Sequence, residues 1–508
     1  MLSFLPHVNK HCDNSALKSR SQQIIVIAVL VLVAVNVALL WHDLQIGTYW
    51  DDGHFITLAK SIAAGRGFSD INDPLAPSHN RFPVGFPALL APVALIAGTA
   101  LWPYKVFVAL ITIMMLALCR IYLSKSESTA INISVLILLG VNTLVASHAS
   151  MVMSEPAFTA LVIASLLIHR RIISTKSQSN LNLEILLAFT IVATYFVRTI
   201  GIALVVSALF DAFITRSFRR GIIILLVFGI FAGVWALRGL VVSQTVISWI
   251  YQKSLSETTS MDVPKNFIDY SAYLIPASVI PLVDHPRTQH LALTMRLEWL
   301  RITFMSCFTL LIFLGWAKAC RDKRRRIECI YVILYMLMLL PWPPYNKGIR
   351  YIYPMLPFFY SYLLNAGCAT LARVVPNYRK IGCYIIGSLA FLYTLYNFSL
   401  FLNPTHTRVR DISIGATWIR DHAPLNALVL AQDPMSIYLY TQRSTIALPK
   451  QEELENTIKS KDINYVIIGP PFSKPDQIVP IPETLRGKGF EIVFKNESHH
   501  TYVFKRKE

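Results

Sequence analysis

The sequence predicts a polytopic α-helical membrane protein of about 11 transmembrane helices with a small C-terminal α/β domain. Three observations predict it. Of 508 residues, 54% are hydrophobic and only 15% charged, more apolar side chain than a soluble core hides. The apolar residues gather into runs of bilayer-spanning length. From Asn403 to Glu508 that pattern stops, and helix and strand periodicities alternate.

The spans are expected at Gln23–Trp41, Lys105–Tyr122, Thr129–Ala146, Val152–His169, Leu183–Val197, Thr199–Thr215, Gly221–Leu240, Leu297–Ala317, Ile327–Leu340, Tyr351–Leu371 and Ile381–Leu402. The first follows Lys10, Lys18 and Arg20, is longer than a signal-peptide apolar region, and has no small-residue cleavage site after it. It reads as a retained anchor. Phe86–Ala97 is short for a span and reads as a helix in the membrane interface.

The net charge of +18 excludes less than it first suggests. In a soluble protein it would point to nucleic acid. Here the cations sit in short loops between apolar runs, and no nucleic-acid module is present. Lys10, Lys18, Arg120, Lys125, Arg170, Arg216 and the run Lys323–Arg326 belong to one set of loops, whereas the opposite short turns carry only Arg198. The positive-inside rule therefore places the N-terminus in the cytoplasm and the C-terminal segment outside, in an inner membrane. Residues 1–402 would form the transmembrane domain and 403–508 the extracytoplasmic α/β domain, with long outer loops at 42–104 and 241–296. No cysteine falls in an outer loop, so no disulfide is implied.

In the tail, Ile412–His422 and Gln451–Lys459 read as helices. Ala427–Ala431, Tyr465–Ile468, Phe490–Phe494 and Thr501–Phe504 read as strands, the last two as a hairpin. There is no Gly-rich phosphate loop, internal repeat or low-complexity stretch.

The first outer loop carries the chemistry. Asp51 and Asp52 open an amphipathic helix in which Phe55, Leu58, Ala59 and Ile62 recur at helical spacing. One acid would suffice as a helix cap. Two, beside Trp50 and His54, suggest a general base or a charge-stabilising site. Arg81 precedes Pro83 and Pro87 in the same loop and could equally be an ordinary loop cation. Glu155 opens the fourth span before Pro156, which is also what plain helix entry looks like. Arg198 interrupts an apolar run and suggests an anion partner. Lys347, Arg350 and Tyr351 stand at the start of another span, where snorkelling into an aromatic belt is the bland account.

On the expected topology Asp51, Asp52, His54, Arg81, Glu155, Arg198, Lys347 and Arg350 all lie on one face of the membrane. The histidines make no metal-binding spacing, so a dedicated zinc site is weakly supported, although a divalent metal held by the acids stays open. Acids facing cations at a lipid surface suggest group transfer from an anionic, lipid-borne substrate: arginines hold the phosphate leaving group and a carboxylate takes a hydroxyl proton. A transporter or flippase of lipid-linked substrates is the rival reading. It would favour inverted repeats and mid-membrane charges, and neither is visible.

Three stretches carry a resemblance: Asp51-Asp52-Gly53-His54-Phe55, Ala64-Gly65-Arg66-Gly67-Phe68 and Phe82-Pro83-Val84-Gly85-Phe86-Pro87. They resemble the first outer loop of GT-C-class glycosyltransferases of the protein O-mannosyltransferase and lipid A aminoarabinose transferase superfamily. Arg198-Thr199 with Gly201, Arg350-Tyr351 with Pro354 and Pro357, and Tyr438–Arg443 are similar to later landmarks of the same enzymes. The resemblance implies an inverting transfer from a polyprenyl-phosphate sugar to a glycan, lipid or protein acceptor. It makes Asp51 the catalytic acid, assisted by Asp52 or Glu155, with Arg81 near the phosphate. Two departures, Asp52 where the family carries Glu and Val84 in place of the second proline, leave the sub-family open.

Overall fold

The computed structural model describes residues 10–41, 45–174, 180–243, 262–280, 298–342, 348–403, 407–449, 451–469, 485–487, 489–496 and 501–507. The chain opens on a long helix, α1 (Lys10–Trp41), followed by two short ones, α2 (Asp51–Ala63) and α3 (Gly85–Ala97), and then α4 (Trp102–Leu123). A broken pair, α5 (Thr129–Val141) and α6 (Thr143–Ala149), leads to α7 (Glu155–Ser174) and α8 (Leu181–Val197). A 3-10 turn, Thr199–Gly201, starts α9 (Ile202–Ile214), and α10 (Phe218–Ser243) follows. Two short helices, α11 (Asp262–Asp269) and α12 (Ile275–Val279), precede α13 (Glu298–Ala319), α14 (Arg326–Leu339), α15 (Leu356–Val374) and α16 (Tyr378–Leu402).

By length and composition six described helices can cross a membrane, or seven if the broken pair α5–α6 counts as one span. The expectation of eleven is not met on that measure. Two expected spans fold as shorter pieces. Asn142 breaks Thr129–Ala146 with a bend of 61°. Its Oδ1 accepts the amides of Leu144 and Val145, capping α6, while its Nδ2 donates to the Ser278 carbonyl and the Tyr360 hydroxyl. The expected span at Tyr351 begins as a 3-10 segment, Ile349–Met355, that contains Pro354, and becomes α-helical only at Leu356. Large apolar side chains such as Leu110, Phe213, Leu225, Val234 and Phe391 are exposed on the outer faces of the bundle, as surfaces in contact with lipid require.

At the bundle end away from α2, Arg325 lies between Glu127 and Glu328, and Tyr122 and Tyr362 both donate to Glu328. This buried network, in which each carboxylate meets a guanidinium or hydroxyl, ties α4, α14 and α15 together.

The C-terminal segment begins with α17 (Thr407–His422) and contains β1 (Leu428–Ala431), α18 (Pro434–Thr441), β2 (Ser444–Ala447), α19 (Gln451–Ser460), β3 (Tyr465–Ile468), β4 (Phe490–Asn496) and β5 (Thr501–Arg506). The strands form one sheet in the order β2-β1-β3-β5-β4, parallel across β2-β1-β3 and antiparallel across β3-β5-β4. The terminal antiparallel pair and the two outer helices match the sequence periodicities. α18 and β2 were not expected, because each is short and their joint run has no clean period.

The sheet is fastened to the first loop. Thr57 donates to the Met435 carbonyl, Tyr440 to the Ile46 carbonyl at 2.8 Å, and Asn72 exchanges two hydrogen bonds with Thr445. α2 lies so close to α18 that a Cβ on Gly53 would stand 2.0 Å from Ser436 Oγ.

Candidate active site

The site is assembled from four chain segments that meet at the end of the bundle carrying α2. Asp51 stands at the N-terminus of α2 and pairs with Arg350 of the 3-10 segment, Oδ2 to Nη1, at 2.8 Å. The same guanidinium donates to the Tyr351 hydroxyl at 3.3 Å. Arg198, where α8 ends, pairs with Glu155 at the start of α7 at 2.6 Å and donates to Ser154 Oγ at 3.0 Å. The Tyr351 ring joins the two pairs, with the guanidinium carbons of Arg198 and Arg350 lying 5.9 and 5.1 Å from its centroid. Tyr335 fixes this tyrosine from behind by donating to its carbonyl at 2.7 Å.

The two acids differ in access. The Asp51 side chain is 17% exposed and Glu155 is fully buried. Asp51 is thus the more accessible of the two carboxylates. Glu155 compensates the charge of Arg198 and holds it in place.

Arg81, at the other end of the loop, lies against the Trp50 side chain next to Asp51. Its guanidinium lies 4.0 Å over the Trp50 ring and 5.2 Å from Phe82. Trp50 has φ of 60°, a left-handed backbone unusual for a bulky residue, and it turns the chain into α2. His54 donates from Nδ1 to the Trp50 carbonyl at 3.0 Å and packs edge-on between Trp50 and Phe82. Burial pushes its pKa down to about 3, so the ring is neutral. His54 thus lies inside the wall of the loop, where it supports Trp50.

The loop itself is built on His79. Its Nδ1 donates to Asp70 at 2.7 Å and its Nε2 accepts the Phe82 amide at 3.0 Å, while Arg238 of α10 donates to the carbonyls of Phe68 and His79. Gly85 then lets the Arg81–Pro87 turn press against α8. A Cβ there would stand 2.5 Å from the carbonyl carbon and oxygen of Phe196, two residues before Arg198. Neither backbone can yield easily. Gly85→Ala is therefore expected to cost roughly 1–3 kcal/mol of stability, read as a lowered unfolding midpoint in detergent, and to shift the Arg81–Pro87 turn away from α8.

Asp52 is not with the others. It is fully buried, and its Oδ1 accepts the amides of Gly47 and Gly53 at 2.9 and 2.8 Å. Burial, opposed by those amides, pushes its carboxyl up to about 7. Its position next to Asp51 in sequence turns it by a helical step towards the C-terminal sheet. Lys347 lies outside the described residues.

Sequence reasoning passed over His148. It is buried on α6, it lies against Tyr49 and Tyr353, and its charge state is coupled to Glu155, Arg198 and Arg350. A histidine between the apolar runs Thr129–Ala146 and Val152–His169 was the available signal. Among the described residues no three His, Cys, Asp or Glu side chains are grouped to hold a metal.

No protein-family model matches the chain, and no curated protein sequence does. Solved structures do. ArnT from Cupriavidus metallidurans bound to undecaprenyl phosphate superposes with a TM-score of 0.60 at 12% identity, over 95% of this chain and 97% of its own. The chain has the GT-C fold. The apo form of the same ArnT gives a TM-score of 0.57 over 94% of this chain and 98% of its own, again at 12% identity. The Archaeoglobus fulgidus oligosaccharyltransferase in complex with Zn and sulfate, also 12% identical, gives 0.54 over 86% of this chain and 67% of its own. At such low identity the GT-C fold is what is shared, and the roles of the individual side chains rest on the geometry above.

Proposed function

We propose that this protein is an integral-membrane glycosyltransferase that moves a sugar from a polyprenyl-phosphate donor to an acceptor on the outer face of the cytoplasmic membrane. The observation that carries the reading is the meeting of Asp51, Arg350, Arg198 and Glu155 around Tyr351, with Asp51 the exposed acid. The GT-C fold supports the general kind of reaction, and the printed ligand of one neighbour, undecaprenyl phosphate, supports a lipid-linked donor. Residues 1–402 carry the reaction in this account and residues 403–508 cover the first loop.

The transfer is an inverting displacement. The acceptor oxygen attacks the anomeric carbon, its proton passes to Asp51, and the bond from that carbon to the phosphate oxygen breaks with its electron pair leaving on the polyprenyl phosphate. Arg198 and Arg350, with Arg81 from the first loop, hold that charge. In the structure Arg350 is paired to Asp51 at 2.8 Å. A phosphate that engages Arg350 draws it from Asp51 and frees that carboxylate for the acceptor. The acceptor, a glycan, lipid or protein, enters from the exposed side of Asp51.

The test is mass spectrometry of envelope glycans, lipids and glycoproteins from a deletion strain, looking for one sugar that returns with the wild-type gene and fails to return with Asp51→Asn. No missing sugar would sink the reading. For the phosphate-binding role, Arg81→Ala is expected to weaken binding of undecaprenyl phosphate to the purified protein by roughly ten- to a hundredfold, the loss of a hydrogen bond to a charged group. Unchanged affinity would remove Arg81 from the phosphate site.

A further inference from the structure

The turn that leads into α2 is strained, and the C-terminal segment grips it. Trp50 has φ of 60° and ψ of −49°. The Asp51 amide donates back across it to the Tyr49 carbonyl at 2.5 Å. Those angles and that bond make the rare, strained form of γ-turn, centred on Trp50. A bulky residue keeps such a backbone only where its surroundings over-determine it. The next residue is Asp51, the carboxylate paired with Arg350. The strain thus sits one peptide bond from the proposed base.

The surroundings can be followed along the chain. Before the turn, the Gly47 amide donates to Asp52 Oδ1 and the Ile46 carbonyl accepts from Tyr440. After it, the Gly53 amide donates to the same Asp52 oxygen, and Thr57 donates to the Met435 carbonyl. At the apex, the Trp50 ring carries the Arg81 guanidinium at 4.0 Å and meets His54 edge-on, and His54 Nδ1 donates to the Trp50 carbonyl. The Trp50 indole N–H meets the Asp433 carboxylate. Asp433 is 3% exposed and caps α18, its Oδ1 accepting the Ser436 amide at 3.3 Å. Met435 and Tyr440 lie on α18 itself, so this short helix with its cap touches the loop before, at and after the apex. Capping alone accounts for an Asp at the start of α18. It does not account for the indole, which comes from the first loop.

We propose that Asp433 is a positioning residue for the transfer: through the Trp50 indole it keeps the strained turn closed, and the closed turn sets where the Asp51 carboxylate stands against Arg350. This rests on the reading of Asp51 as the base. Without the hold of Asp433, the Trp50 backbone relaxes out of the left-handed region and carries Asp51 away from its reacting position. The C-terminal domain in this account does more than cover the first loop; it shapes the catalytic geometry.

Variants of the full chain would be returned to the deletion strain, and the rate at which the missing sugar reappears after induction measured by mass spectrometry. Asp433→Ala, and Trp50→Phe, which removes the indole N–H and keeps an aromatic ring, are each expected to slow transfer roughly 10- to 100-fold, the effect of a displacement of about 1 Å at a reacting group. Asp433→Asn keeps an oxygen for the indole and should recover most of the rate. The double variant Asp433→Ala, Trp50→Phe should be no slower than the slower single, since both remove one contact. Purified Asp433→Ala should bind undecaprenyl phosphate about as tightly as the wild type. If Asp433→Ala does not fold, Trp50→Phe against Asp433→Asn carries the comparison. A full rate in Asp433→Ala or Trp50→Phe, an Asp433→Asn as slow as Asp433→Ala, losses that add in the double variant, or a loss of binding that matches the loss of rate overturns the role. Identical glycans in the wild-type and deletion strains sink the glycosyltransferase reading and this role with it, whereas a sugar that Asp433→Ala restores at full rate overturns the role alone.

Discussion

Asp51→Asn is expected to lower sugar transfer by about 10²- to 10⁴-fold, the usual contribution of a positioned general base, while leaving the protein folded. The substitution is nearly isosteric, and Asp51 lies partly exposed at the start of α2 outside the apolar core, so the loss falls on the chemistry. A second readout separates catalysis from binding. Because Arg350 is held by Asp51 at 2.8 Å, removing the negative charge frees the guanidinium. Undecaprenyl phosphate should then bind the purified variant at least as tightly as it binds the wild type, even though turnover is lost. A variant that transfers normally removes Asp51 as the base. One that loses binding and turnover together makes Asp51 a substrate anchor instead.

Glu155→Gln is expected to act through stability as well as activity. Glu155 is fully buried and its partner Arg198 is tied to Ser154 and Tyr351. Removing one partner of a buried pair leaves the other charge uncompensated, at a cost of about 3–5 kcal/mol. Arg198→Met alone should be destabilising to a similar degree, because it strands the Glu155 carboxylate. The double variant Glu155→Gln, Arg198→Met should recover much of the lost unfolding midpoint, since both charges are gone and the volumes are nearly kept. It should not recover transfer, because the phosphate has lost a cation. Recovery of both would make the pair purely structural. Failure of the double variant to regain stability would mean that packing of α7 against α8 depends on more than this ion pair.

Much of this arrangement was legible in the residues, and the reason differs from place to place. The acid-plus-arginine set at one end of the bundle follows from where charges interrupt apolar runs, because a charge near lipid is tolerated only with a partner or at an interface. That logic marked Asp51, Glu155, Arg198 and Arg350 without any contact in view. The strands of the tail were marked by short apolar, β-branched runs such as Tyr465–Ile468. The same local logic could not count spans. Whether Thr129–Ala146 runs straight or breaks at Asn142 depends on partners for the Asn142 side chain at Ser278 and Tyr360, far along the chain.

The sequence by itself determined a membrane helical protein with charges gathered at one end and a small α/β domain at its C-terminus, since composition and periodicity are properties of neighbours in the chain. Tertiary structure alone decided which acid meets which arginine, that Asp51 stays reachable while Asp52 turns inward, and that His54 is a wall and His148 a neighbour of the charges. Adjacent residues on a helix point about a quarter-turn apart, so two carboxylates that look equivalent in the sequence are assigned by whatever packs on each side: Arg350 on one, the Gly47 loop and α18 on the other.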